Sequence, residues 1–202
     1  MRDPNMNDMT LPPLMAEAES VDYDPFGAAE VQRVVPTTEA QREIWLADRL
    51  SPDASLAYNE SISLAMEGTL DTGALARALQ ALADRHEALR ANIGPEGTEL
   101  YVAAAVTLAP QIVDLSMLDE AARAAGLQAQ IDDAATRHFD LGSDTLVRAT
   151  LVKLAPQQHE LILAAHHIVC DGWSFGVLAD ELMKLFRAAA AGDPLPEAKL
   201  PP

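Results

Sequence analysis

The chain has 202 residues, 49% of them apolar and 4% aromatic, which is enough for one sizeable core or two small ones. Lys and Arg number 14 against 31 Asp and Glu, a formal net charge of −17, so phosphate backbones and anionic lipid surfaces are repelled and neither nucleic acid nor a membrane is an expected partner. Cys170 is the single cysteine, so no intrachain disulfide can form; with no apolar run long enough to span a bilayer and an acidic N-terminus lacking a signal-peptide core, the chain reads as cytoplasmic.

Residues 1–33 carry Asp3, Asp8, Glu17, Glu19, Asp22, Asp24 and Glu30 against Arg2 and Arg33, with four prolines and no sustained period. This predicts an acidic disordered leader or inter-domain linker. The stretch 38–50 reads as a helix. Thr38 can cap it, and Gln41 lies three places on, as in a capping box. A strand is predicted at 58–67. Asp71 can cap a helix over 71–87, which ends in Arg85-His86-Glu87-Ala88-Leu89-Arg90. Strands follow at 88–93 and 99–104, then a helix at 117–138.

Over 145–154, Leu146, Arg148 and Thr150 alternate with Val147, Ala149 and Leu151, the two faces of a strand. Pro156-Gln157-Gln158 predicts a hairpin turn into a strand at 159–167. That strand ends in His166-His167-Ile168-Val169-Cys170-Asp171-Gly172-Trp173-Ser174. Adjacent strand residues point to opposite faces, so one imidazole can enter a cavity while the other packs inside. The same geometry stops both from converging on one tetrahedral zinc ion, and no metal is expected. Gly172 suits a tight turn. Asp171 is expected to be buried and to need a cationic partner, with Arg85, Arg90 and Arg148 as candidates. Cys170 reads as a small buried residue rather than a nucleophile. Ser174 is a candidate cap for a helix over 174–191, and Gly and Pro punctuate the last stretch, 191–202.

The run His-His-x-x-x-Asp-Gly followed by Trp-Ser resembles the active-site motif of condensation domains of non-ribosomal peptide synthetases, in the chloramphenicol-acetyltransferase-like superfamily. Two further stretches resemble family motifs in the same order. Thr38-Glu39-Ala40-Gln41-Arg42-Glu43-Ile44-Trp45-Leu46 is similar to Ser-x-Ala-Gln-x-Arg-x-Trp-x-Leu, with Thr first and Arg one place early. Arg85 to Arg90 matches Arg-His-Glu-x-Leu-Arg throughout. Heterocyclisation domains carry Asp in place of the first His, and epimerisation domains carry Asp-x-x-Ser-Trp after the pair, so the resemblance favours condensation.

The resemblance implies an α/β sandwich of the chloramphenicol-acetyltransferase type, one lobe of a two-lobe domain. Residues 34–192 would be the N-terminal lobe, and 193–202 the start of a linker to a missing C-terminal lobe. It implies His167 as the catalytic residue, with His166, Asp171, Gly172, Trp173 and Ser174 in support. No cofactor is bound directly. Substrates arrive on the phosphopantetheine arms of upstream and downstream carrier domains, with an adenylation domain in the same assembly line. The implied reaction is amide formation from two carrier-bound thioesters. The alternatives are a stand-alone acyltransferase using acyl-coenzyme A, or a non-catalytic carrier-binding lobe.

Overall fold

The structure is a computed structural model that describes residues 30–197. The predicted leader up to residue 29 and the last five tail residues lie outside the described residues. In chain order the elements are β1 (Val31–Pro36), α1 (Glu39–Leu50), α2 (Pro52–Leu56), β2 (Asn59–Glu67), α3 (Thr72–Arg85), a 3-10 turn (Glu87–Arg90), β3 (Ala91–Ile93), β4 (Glu99–Ala103), β5 (Gln111–Asp114), α4 (Glu120–Thr136), β6 (Val147–Ala155), β7 (Gln158–His166) and α5 (Gly172–Ala191).

Two sheets organise these elements. A three-stranded antiparallel sheet runs β1-β4-β3, and a four-stranded sheet runs β2-β7-β6-β5. In the larger sheet β5 joins β6 in parallel, while the other pairs are antiparallel. Strand β7 is central and covered on both sides, which explains its unbroken buried run from Leu161 to His166. On one side, Leu161, Leu163 and Ala165 pack under α3 and α5 with Leu75, Leu79, Leu82, Leu182 and Leu185. On the other, Ala164 joins Phe139, Leu141, Leu146 and Ile168, with β3, β4 and part of α1 and α4. Each of the leucines packed under α3 and α5 is at most 3% exposed, and truncating one to Ala would cost about 2–5 kcal/mol.

The hairpin is tighter than predicted. Pro156 and Gln157 alone connect β6 and β7, and Ala155 pairs with Gln158. Residues 31–33, placed in the leader by their charge, open β1 instead, because Val31 to Pro36 pair with β4. The first half of 88–93 is a 3-10 turn and only Ala91–Ile93 is strand, and β5 and α2 were not anticipated. One glycine requirement is steric. Gly97 has φ +69° in the turn before β4, and an added Cβ would sit 2.4 Å from the Trp45 ring. Thr37 holds the same turn by donating its hydroxyl to the Gly97 carbonyl at 2.8 Å.

Candidate active site

The site forms at the corner where β7 ends and α5 begins. The β2–β7 ladder pairs Asn59 with His166 and Glu60 with Ala165. It runs one step further, since the His167 N–H donates to the Tyr58 carbonyl at 2.8 Å. Tyr58, Glu60 and His167 therefore share one face of the sheet, and His166 takes the opposite face.

The two imidazoles separate as the strand geometry requires. His166 is fully buried beside Phe139 and Tyr58, with ring centroids 6.2 and 6.1 Å away. Its Nδ1 accepts the Ile168 N–H at 3.3 Å, so in the neutral ring the proton sits on Nε2. That Nε2 meets no partner among the described residues. Burial pushes the imidazole down to about 4, which keeps it uncharged at neutral pH.

His167 is half-buried, with its side chain 35% exposed. Its ring stacks on Tyr58 at 6.4 Å and 29°. Nδ1 is shut off from solvent and lies 2.6 Å from Oε1 of Glu60, within ion-pair distance though outside ideal hydrogen-bond alignment. Nε2 is the nitrogen left facing outward. A ring with one nitrogen held and the other free can take up or hand over a proton.

Asp171 overturns its expectation. It is exposed, and none of the three candidate arginines reaches it. Its Oδ1 accepts the Ser174 hydroxyl at 2.6 Å and the Ser174 N–H at 2.8 Å. These two bonds hold its carboxyl below the usual carboxylate range. Asp171, not Ser174, is the N-cap of α5. A short carboxylate next to a turn can satisfy a helix end locally and needs no arginine.

The arginines are engaged elsewhere. Arg85 donates to Oε1 of Glu181 at 2.6 Å and to the Pro196 carbonyl, while His86 meets Oε2 of Glu181 at 2.6 Å. Burial of Glu181 works against ionisation, but these two donors outweigh it and lower its pKa. Arg90 is 6% exposed and donates to the carbonyls of Ala83, Ala103 and Ala104 and to Gln32. Arg148 lies 3.7 Å over the Phe139 ring and donates to the carbonyls of Arg137 and His138 and to Asp144.

Gly172 has no positive φ, and an added Cβ would meet nothing within 4 Å, so no strained turn demands glycine there. It is the first residue of α5, where the N–H has no helical acceptor. Trp173 is 84% exposed. It borders an apolar cleft of about 160 Å³ with Val169, Cys170, Val177 and Leu178. Cys170 is buried, and burial pushes its thiol up to about 12, which leaves it a poor nucleophile. Gln41 does two jobs: its Oε1 takes the Thr38 N–H at 3.0 Å, and its Nε2 donates to the Ile168 carbonyl at 3.1 Å. The first helix thereby braces the turn after the histidines. Glu60 and Tyr58 escaped the sequence reading, because nothing local announces that β2 is the neighbour of β7.

The sequence profile of the condensation-domain family matches residues 31–202. Chondramide synthase cmdD of Chondromyces crocatus is 41% identical over 170 residues, which are 83% of this chain and 4% of that protein. Tyrocidine synthase 3 of Brevibacillus parabrevis is 34% identical over 190 residues, 94% of this chain and 3% of its own length. A mutant of the starter condensation domain of the rhizomide synthetase RzmA, solved in complex with C8-CoA, superposes with a TM-score of 0.73 at 25% identity. The match covers 81% of this chain and 38% of that one. The chain belongs to the condensation-domain family, a family of acyltransferase-type enzymes, and supplies the N-terminal part of the domain with its chloramphenicol-acetyltransferase-like fold. Among the described residues no helix is long and apolar enough to cross a membrane.

Proposed function

We propose that this lobe carries the catalytic histidine of a domain that forms peptide bonds. The donor is an acyl or peptidyl thioester on the phosphopantetheine arm of an upstream carrier domain. The α-amine of a downstream carrier-bound aminoacyl thioester attacks its carbonyl, the new amide C–N bond forms, and the donor thiol leaves. A second lobe closes the site, and an adenylation domain of the same assembly line loads the acceptor. The observation that carries this reading is the contrast at the end of β7. His166 is sealed and uncharged, while the His167 side chain is 35% exposed with its Nδ1 alone shut off against Glu60.

The demand on His167 is modest. An α-amine has a pKa of about 7.7–8.0, so roughly a tenth is already neutral at pH 7. Reaching the neutral form costs about 1.4 kcal/mol. The ring's work is to orient the amine and to accept its proton as the tetrahedral species forms, help typically worth about 10²–10⁴-fold. Holding two tethered substrates together supplies as much or more.

The test is a complete domain carrying this lobe, given loaded donor and acceptor carriers. His167→Ala is expected to lower kcat by about 10²–10⁴-fold and leave measurable amide formation, with a larger loss for a hydroxyl acceptor. Full activity in that variant overturns the reading. The 202 residues alone are expected to turn over little or nothing, since they supply one wall of the site. The C8-CoA complex of the RzmA mutant supports a second reading, in which the donor arrives as a coenzyme A ester. Offering the same acyl group on a carrier and on coenzyme A distinguishes the two.

A further inference from the structure

We propose that Glu60 is a positioning residue for His167: its carboxylate, set against Nδ1, keeps the ring proton on that nitrogen and so fixes the tautomer whose free lone pair is on Nε2. The inference deepens the acyl-transfer reading and rests on it for its catalytic meaning, though its geometry stands alone.

Three observations carry it. The first is distance and closure. Oε1 of Glu60 is 2.6 Å from Nδ1, an ion-pair contact outside hydrogen-bond alignment, and Nδ1 is shut off from water with no hydrogen-bond partner among the described residues. A bare Nδ1 at that distance would set its lone pair against the carboxylate, so the charge of Glu60 favours a proton on Nδ1. The second is register. Glu60 pairs with Ala165 on β7, so it is the diagonal neighbour of residue 167 on the same face. Two ladder strands fix that relation more rigidly than a loop would. The third is the stack of His167 on Tyr58, which lies directly across the ladder and leaves the ring little freedom to turn. Ring plane and tautomer are thus set from two sides.

The remaining groups near the ring do not replace Glu60. Asp171 acts on His167 only through its charge, because its own oxygen is held by Ser174. His166 points to the other side and is uncharged. Cys170 is protonated at neutral pH, so it supplies no negative charge. A carboxylate that orients an imidazole in this way also stabilises the imidazolium that forms when Nε2 takes a proton.

A surface ion pair between groups about one-third exposed would be worth at most about 1 kcal/mol and would leave the chemistry alone. The experiment must therefore read something that stability does not move. In the 202-residue chain labelled with ¹⁵N-histidine, long-range proton–nitrogen spectra report which ring nitrogen bears hydrogen. His167→Gln identifies the signal among the five histidines. At a pH where the ring is neutral, wild type is expected to show a protonated Nδ1 and a bare Nε2. Glu60→Ala is expected to shift the population toward the Nε2–H form, and Glu60→Gln, which keeps an acceptor oxygen, to restore the wild-type pattern in part. An Nε2–H signal in wild type, or no change in Glu60→Ala, overturns the proposal.

The second arm uses a complete domain carrying this lobe. Glu60→Ala is expected to lower kcat on the order of tenfold to a hundredfold with KM little changed, inside the range that base catalysis supplies. Failure of the acyl-transfer reading looks different: His167→Ala would then be harmless while the tautomer result in the isolated lobe persisted. Loss of activity in His167→Ala with full activity in Glu60→Ala sinks the positioning role alone.

Discussion

The corner around residues 85–90 and the corner after β7 both carry His and acidic residues, yet they use them in opposite ways. At 85–90 every strong donor is spent. Arg85 and His86 share Glu181, and Arg90 closes off three backbone carbonyls. At the end of β7, Nε2 of His167 and the N–H groups of Gly172 and Trp173 meet no partner among the described residues, and the Trp173 side chain is exposed. A saturated cluster holds elements together. An unsaturated one, kept open at some cost in stability, is where a substrate can be met. Motif identity alone does not separate the two; the count of unmet bonds does.

If the 85–90 corner is structural, breaking it should cost folding energy and little else. Arg90→Ala removes the donor to the carbonyls of Ala83, Ala103 and Ala104 and leaves them buried. The expected loss is about 3–5 kcal/mol in urea unfolding, and Arg90→Lys should recover only part of it, because one ammonium cannot span the same fork. A loss below about 1 kcal/mol would mean that this cluster is no more structural than the site opposite, and the contrast would dissolve.

His166 sharpens the comparison from the other side, because it belongs to the catalytic-looking motif and yet is packed like the structural one. Its folded imidazole resists protonation down to about 4, while an unfolded one titrates near 6.5. As pH falls, the unfolded state takes up the proton first. Stability present at pH 7 is therefore lost from about 6.5 downward and levels off near 4. Between pH 7 and pH 5 the wild-type chain is expected to lose about 2 kcal/mol that His166→Gln does not lose. His159, which burial also pushes down, contributes equally to both proteins and cancels in the difference. Equal slopes for the two proteins would place His166 in a wetter setting than the packing describes.

The elements that the sequence announced are those with local signals. The capping box at Thr38 and Gln41, the cap at Asp71, the alternation in β6 and the turn at Pro156-Gln157 all depend on residues a few places apart, and all are present. The opposite facing of His166 and His167 followed from strand geometry alone. What escaped was non-local. Glu60 stands far before His167 in the chain, and only the β2–β7 register brings them together. Strand β5 has a single parallel neighbour and four residues, too short for its period to stand out. The assignment of Arg85, Arg90 and Arg148 as partners of Asp171 failed for a different reason. It assumed burial, and each arginine in fact had carbonyls or carboxylates nearer to hand.

Asp171 gives the finest test, because the two accounts of it predict opposite rankings for the same pair of variants. As a helix cap, it works through one oxygen that accepts from the N–H and the hydroxyl of Ser174. Asparagine offers the same oxygen in the same place. Asp171→Ala is therefore expected to cost about 1 kcal/mol and Asp171→Asn only a few tenths. As half of a buried ion pair, Asp171 would respond the other way: Asn would strand a charged guanidinium and cost several kcal/mol, close to Ala. Unfolding free energies of the two variants decide it. Asn falling with Ala would return a cation to this corner and make it resemble the saturated one.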